Sequence, residues 1–252
     1  MHYLKTIYVF VILTTSWLGM AQDEAIFNQG NTLYSEGKYA EAIEKYEQIL
    51  NSGKHSAALY YNLGNAYYKL NNVASSIYYF EKALQLDPTD REIQNNLTYA
   101  QNMTVDAIEA QPEVGFSKAY KSIVNYRSFD TWAKYTVAFM FVFIALFLGY
   151  YFSTSTAKKR IAFVGLICAL FLTGTTLGLA FQKFKLDKNT NPAIIFTQEV
   201  SIKNDPNSTS EELFKLHEGT KIYIVGTFNT WKKIKLPDGK TGWLEQQHIK
   251  AL

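Results

Sequence analysis

AIFNQGNTLYSEGKYAEAIEKYEQIL, residues Ala25–Leu50, recurs as ALYYNLGNAYYKLNNVASSIYYFEKAL, residues Ala58–Leu84. With Gly30 and Gly64 set as the eighth residue of each unit, the period is 34 and the units run Asp23–Ser56 and Ala57–Asp90. Large apolar or aromatic residues then fall in matching places: Ile26 and Tyr60, Leu33 and Tyr67, Tyr46 and Phe80. Small residues keep the same register, with Gly30 and Ala42 in the first unit and Gly64 and Ser76 in the second. That pattern predicts two helical pairs whose members approach closely at the small positions. Stacked pairs of this period form grooves for other polypeptides.

The spacing and residue sizes resemble the tetratricopeptide family, with Ala83 and Pro88 completing the second unit. The first unit departs from the pattern at Gln29, Ile49 and Lys54, which stand where Leu, Ala and Pro are usual. The resemblance implies that the first helix of each pair lines a concave face. The residues it assigns to a partner-binding groove are Phe27, Asn28, Asn31, Tyr34, Tyr61, Asn62, Asn65, Tyr68 and Lys69. Asparagine amides can both donate to and accept from an extended peptide, and aromatic rings add apolar area at low entropic cost. The same asparagines also belong to the common YNLGNAYY pattern of the repeat. The cationic clamp that some members use for carboxyl-terminal peptides is missing, with Phe27 and Glu92 at its places. Two units seldom stand alone, so Arg91–Ile108 is expected as a capping helix with Asn95, Asn96 and Asn102 towards solvent. An end of the stack left unburied predicts dimerisation or docking on a partner.

Residues 1–21 have one early cation, Lys5, the apolar run TIYVFVILTTSWLGM, and small residues Gly19 and Ala21 where a signal peptidase cuts. An uncleaved first membrane helix is the alternative, although the run is short for about 30 Å of hydrocarbon. Between Lys134 and Lys183 the only charges are Lys158, Lys159 and Arg160, which divide an apolar stretch into spans at 135–152 and 161–181 with a connection at 153–160. At about 1.5 Å per residue these cover roughly 27 and 31 Å, close to a bilayer. The export signal predicts that the repeats face outward and the connection inward, where its cations belong. Basic residues on both flanks blur that rule. Residues 111–134 are expected as a juxtamembrane linker, with Ser117–Trp132 either lying on the membrane surface or solvated. A second linker is expected at 182–190.

Charge is segregated: residues 22–110 carry a net −6, residues 111–190 a net +7 and residues 191–252 a net +1. The basic excess lies beside lipid, so nucleic-acid binding is disfavoured, and the acidic repeats favour a neutral or basic partner segment. Cys168, the single cysteine, lies in the second span, and the four histidines lack metal-ligand spacing. No Gly-rich phosphate loop occurs either. The residues point to no catalytic set, no metal and no cofactor. Both spans lack Asp, Glu and His, which disfavours a transporter.

Residues 191–252 change to short runs rich in Ile, Val, Phe and Trp between turns such as DPNSTS and PDGK. LFKLHEGTKIYIVG followed by WKKIKLPDGKTGWL is similar to bacterial SH3-like domains, with Gly219, Trp231 and the Gly242–Trp243 pair at that family's landmarks. Tyr223, Phe228, Trp231 and Trp243 either form a ligand surface or fill the core of so small a barrel. The expected fold class is thus a multidomain membrane protein: all-α repeats, a transmembrane helical hairpin and a small all-β barrel. That order of modules resembles the BatE family of the Bacteroides aerotolerance cluster. The resemblance implies an inner-membrane accessory protein with von Willebrand type A domain partners and no catalytic residues to carry over. The first functional reading is a membrane-tethered scaffold for protein partners, and the second an envelope tether or sensor whose tail binds peptidoglycan.

Overall fold

The computed structural model describes residues 23–108 and 115–252; the expected signal segment at 1–21 lies outside them. Helices α1 (23–35), α2 (Tyr39–Asn51), α3 (Ala57–Lys69), α4 (Val73–Leu86) and α5 (Arg91–Gln101) form the repeats. Three starts are capped by side chains: Ser56 accepts from the Leu59 amide, Asn72 from Ser75, and Asp90 from Glu92 and Ile93. Each satisfies a first-turn donor that has no partner within the helix. The repeated glycines explain the spacing. A Cβ on Gly30 would lie 2.5 Å from Tyr46 Cε1, and one on Gly64 would lie 2.5 Å from Phe80 Cδ1. The ring of each second helix therefore lies on the backbone of the first, and Ser76 donates to the Gly64 carbonyl at 2.9 Å inside the same contact. Leu63, Ala66, Ile77, Ala83, Ile93 and Ala100 fill the shared core.

The expected capping helix is shorter than the sequence suggested. It stops at Gln101, and residues 104–108 leave it in non-helical form. Thr104 closes the end, its amide and hydroxyl both bonding to the Gln101 carbonyl, and β-branched Thr104 and Val105 are weak helix formers.

Helices α7 (Phe129–Phe152) and α8 (Thr156–Asn189) make an antiparallel hairpin. Helix α8 starts ahead of the apolar run at Ile161 and continues through the residues expected as a linker, so Lys158, Lys159 and Arg160 lie in its first turns. Small residues line the contact: Ala169, Thr176 and Ala180 are buried, and the Thr136 hydroxyl bonds that of Thr176 at 3.1 Å. Elsewhere the hairpin exposes Phe141, Phe147, Phe163, Leu170, Phe171 and Phe181. Both helices are long and apolar enough to cross a membrane, and in the most apolar stretch of α7 nothing is buried within the protein.

A short helix, α6 (Phe116–Asn125), precedes the hairpin. A single surface helix over Ser117–Trp132 does not form, because the chain turns at Tyr126–Ser128 and Ser128 caps α7. Val124 is fully buried, and the Trp132 indole donates to its carbonyl at 3.1 Å. Arg127 donates to the Thr89 hydroxyl at 2.7 Å, tying the α4–α5 turn to the entrance of α7.

The last module is a seven-stranded antiparallel sheet: β1 (Pro192–Ile195), β2 (Glu199–Lys203), β3 (Glu212–His217), β4 (Lys221–Phe228), β5 (Trp231–Lys235), β6 (Thr241–Glu245) and β7 (Ile249–Ala251). Its order is β3-β2-β6-β5-β4-β1-β7. Leu216 near one edge and Ala193 and Ile195 near the other share one core with Ile202, Ile222, Ile234 and Leu244, so the sheet is rolled upon itself.

Candidate functional site

The concave face of the repeats holds a cavity of about 450 Å³ lined by Tyr34, Tyr61, Asn62, Asn65, Tyr68 and Lys69, together with Phe80, Glu92, Asn96 and Tyr99. Six of the nine groove residues expected from the sequence thus meet. A ladder of amides runs beneath them. Asn62 Nδ2 donates to Asn31 Oδ1 at 2.8 Å, and Asn96 Nδ2 donates to Asn65 Oδ1 at 2.9 Å. Asn31 also accepts from the Tyr46 hydroxyl, which places it as a rung below the cavity. Phe27 and Asn28 are not part of this site. Phe27 packs on Tyr46 and faces a separate depression with Ile49 and Leu59, while Asn28 lies beside Gln29 and Thr32 on another surface.

The third wall was missing from the sequence reading. Asn96 is half-buried rather than turned to solvent, and its amide also reaches the Tyr61 hydroxyl at 2.9 Å. Tyr61 in turn donates to Glu92 Oε1 at 2.5 Å. Burial first, and the Glu92 carboxylate second, push the Tyr61 phenol up to about 12. It therefore remains a donor at every physiological pH. Asn96 stands 34 residues after Asn62, and Tyr99 34 after Asn65, so continuing the period was the signal that would have found both. The cavity wall offers a cation in Lys69, a carboxylate in Glu92, and amide and phenol groups between them, a lining suited to the polar backbone and side chains of a peptide.

A second junction binds the β module to the repeats. Asp106, in the segment after α5, accepts from the His217 amide at 2.7 Å, from His217 Nδ1 at 2.8 Å and from the Thr220 hydroxyl at 2.6 Å. Lys221 Nζ lies 2.7 Å from Glu81 Oε2 on α4. Lys250 Nζ sits 4.4 Å from the centre of the Tyr78 ring, and Phe196 meets the same ring edge-on. Gly219, at φ +85, has Val73, Ile77 and Thr104 so close that a Cβ would lie 2.8 Å from Thr104 Cγ2. Burial raises the Asp106 carboxyl, but the hydrogen bonds from Thr220 and His217 outweigh it and leave the group below its ordinary value. His217 is held above its ordinary value, chiefly by its hydrogen bond to Asp106.

The four tail aromatics are not core. Phe228 is exposed, and Tyr223, Trp231 and Trp243 are half-buried. Phe228 stands opposite Trp231 across β4–β5, Trp243 opposite Lys233 across β5–β6, and Tyr223 opposite Lys235 farther along. Alternation, reset in β4 by the bulge between Ile224 and Gly226, sets all four on the outer face, because Ile222, Ile234 and Leu244 take the inner one. His248 bonds the Thr197 hydroxyl at 2.8 Å and does not meet His217. Among the described residues no group of three or more His, Cys, Asp or Glu side chains converges to hold a metal ion.

Residues 27–91 match the tetratricopeptide repeat family. No curated protein matches the chain. The chain thus carries tetratricopeptide repeats, modules whose usual work is to hold other proteins, in front of two long apolar helices and an antiparallel β module.

Proposed function

We propose that this chain is a non-enzymatic, membrane-tethered scaffold that holds a partner protein in the cavity formed by α1, α3 and α5. The observation that carries this reading is the cavity itself, open along the amide ladder and walled by Tyr34, Tyr61, Tyr68, Lys69, Glu92, Asn96 and Tyr99. The partner is an extended segment, neutral or basic overall, because the repeats carry a net −6. The apolar faces of α7 and α8 are covered by lipid, since so large an exposed apolar surface is otherwise unsatisfied in water. With two spans the repeats and the β module share one side of the membrane, in keeping with their contact through Asp106 and Lys221. The leader expected at 1–21 makes that side the outer face of the bacterial inner membrane. The order of modules supports a BatE-like role in the envelope, with von Willebrand type A domain proteins as the partners to look for first.

Affinity purification from membranes tests the reading. Lys69→Ala and Tyr99→Ser together change lining side chains that stand outside the repeat core and the amide ladder. The scaffold reading expects the co-purified envelope proteins to be lost while the far-ultraviolet circular dichroism is kept. An unchanged set of co-purified proteins would mean that the cavity is not the docking surface.

A further inference from the structure

The β4–β5 hairpin carries the most apolar exposed tip of the β module. Val225 is 55% and Phe228 54% exposed, Trp231 is half-buried opposite Phe228, and Lys232 and Lys233 follow at once.

Two independent lines fix where it reaches. Strand β1 begins only two residues beyond Thr190, at the end of α8, and β4 runs antiparallel to it, with Tyr223 opposite Pro192. Beyond that pairing β4 continues for five more residues towards the end from which α8 arrives. At about 3.3 Å per residue that overshoot is roughly 16 Å, against roughly 12 Å of polar helix between Phe181 and Asn189 at about 1.5 Å per residue. The second line comes from α4. Gly219 lies on Val73 and Ile77, and Lys221 pairs with Glu81, so chain and helix advance side by side in one direction. Thr89, just past the end of α4, is bonded to Arg127 at the mouth of α7. From Lys221 the strand runs about 23 Å to Phe228, whereas α4 needs only about 8 Å from Glu81 to its end at Leu86. By either measure the strand is long enough for the tip to reach the point where the hairpin helices leave the polar region.

We propose that this tip, Val225 and Phe228 to Lys233, rests in the headgroup layer of the membrane that α7 and α8 cross, as a third attachment of the β module to lipid. The inference rests on the reading of α7 and α8 as membrane spans. Aromatic residues partition into the interface, where an apolar body meets carbonyl and headgroup dipoles, and lysine stems lie along them with the ammonium raised to anionic phosphate. Lys232 and Lys233 supply that charge, Lys232 Nζ lying 3.1 Å from the Thr227 hydroxyl and Lys233 Nζ 5.9 Å from the centre of the Trp243 ring, while the Glu245 carboxylate opposite Trp231 is bonded by Gln247. The attachment holds the β module upright beside α4, so that the Asp106 junction and the tip restrain it from opposite ends.

The test uses the full chain in nanodiscs of phosphatidylcholine and phosphatidylglycerol. A polarity-sensitive fluorophore is placed at Thr230→Cys or at Lys240→Cys, each with Cys168→Ser, and separately on the native Cys168. Lys240 lies just past the opposite end of β5 and is the aqueous reference. The expected result is a blue-shifted Thr230 label that loses most of its emission to lipids spin-labelled high on the acyl chain, while the Lys240 label keeps its emission. Cys168, exposed on α8, is expected to be quenched by lipids labelled near mid-chain. A Thr230 label as wet and unquenched as Lys240, with Cys168 quenched, overturns the tip contact and leaves the spans standing. That is also the outcome if the tip is held by a protein or a glycan instead. Loss of quenching at Cys168 as well overturns both.

Discussion

Replacing Asp106 with Ala removes the acceptor of three hydrogen bonds at once, those from the His217 amide, His217 Nδ1 and the Thr220 hydroxyl. The Asp106 side chain is 12% exposed, so water replaces the lost acceptor poorly. Bonds to a charged acceptor contribute about 1.5–3 kcal/mol each in buried settings, and re-solvation of His217 and Thr220 after the junction opens returns part of that. A net loss of about 3 kcal/mol for the set is a fair working value. For a module of this size 1 kcal/mol corresponds to roughly 4–8 °C, so the melting temperature of the β module should fall by at least about 12 °C. Trp231 and Trp243 both lie in that module, and with Trp17 and Trp132 replaced by Phe their emission during thermal unfolding of the full chain in nanodiscs reads it. Asp205→Ala, on an exposed loop, is the matched control. A shift for Asp106→Ala no larger than that of the control would show that the carboxylate does not hold the β module to the repeats.

The same junction responds to pH. His217 is raised in the folded chain, so its contribution is complete below its unfolded value near 6.5 and is lost as pH climbs through the higher folded value; the β-module melting temperature should decline above neutral pH, and His217→Gln should flatten that slope. Asp106 is depressed, so its contribution disappears only when strong acid protonates it, below its ordinary carboxylate range. Gly64→Ala should force the Phe80 ring off the α3 backbone and cost about 1–3 kcal/mol of repeat stability, seen as a lower helical melting temperature by circular dichroism. Asn96→Ala leaves Asn65 Oδ1 without its donor at a cost of about 1–2 kcal/mol, and should loosen α5 in hydrogen exchange before α1 or α3.

The helical pairs were legible because their signal is a size rule at fixed spacing: Gly30 under Tyr46 and Gly64 under Phe80 leave no other choice of residue. The two apolar helices were legible because a bilayer demands length and little else. Two groove assignments, Phe27 and Asn28, lie apart from the cavity because the opening turn of the first unit faces other surfaces. Asn96 and Tyr99 were not legible as lining because an isolated third helix reads as a cap, although α5 occupies the place of the first helix of a third unit. The Asp106 junction had no sequence signal at all. Its partners stand 111 and 114 residues apart, and no local pattern records a contact of that range. The tail tryptophans were ambiguous because an alternating strand names two faces without saying which is inner; Ile234 and Leu244 decide it by filling the core.

Everything rests on a hairpin of two spans that holds the repeats and the β module together on one face of a bilayer. Labelling with a membrane-impermeant maleimide in sealed, right-side-out vesicles tests this directly, using Ser52→Cys in the repeats, Asn207→Cys in the β module and Ser155→Cys between α7 and α8, each with Cys168→Ser. The account predicts that Ser52→Cys and Asn207→Cys react from outside, and that Ser155→Cys reacts only after the vesicles are opened. Ser52→Cys and Asn207→Cys on opposite sides, or Ser155→Cys reacting along with them in sealed vesicles, would contradict it.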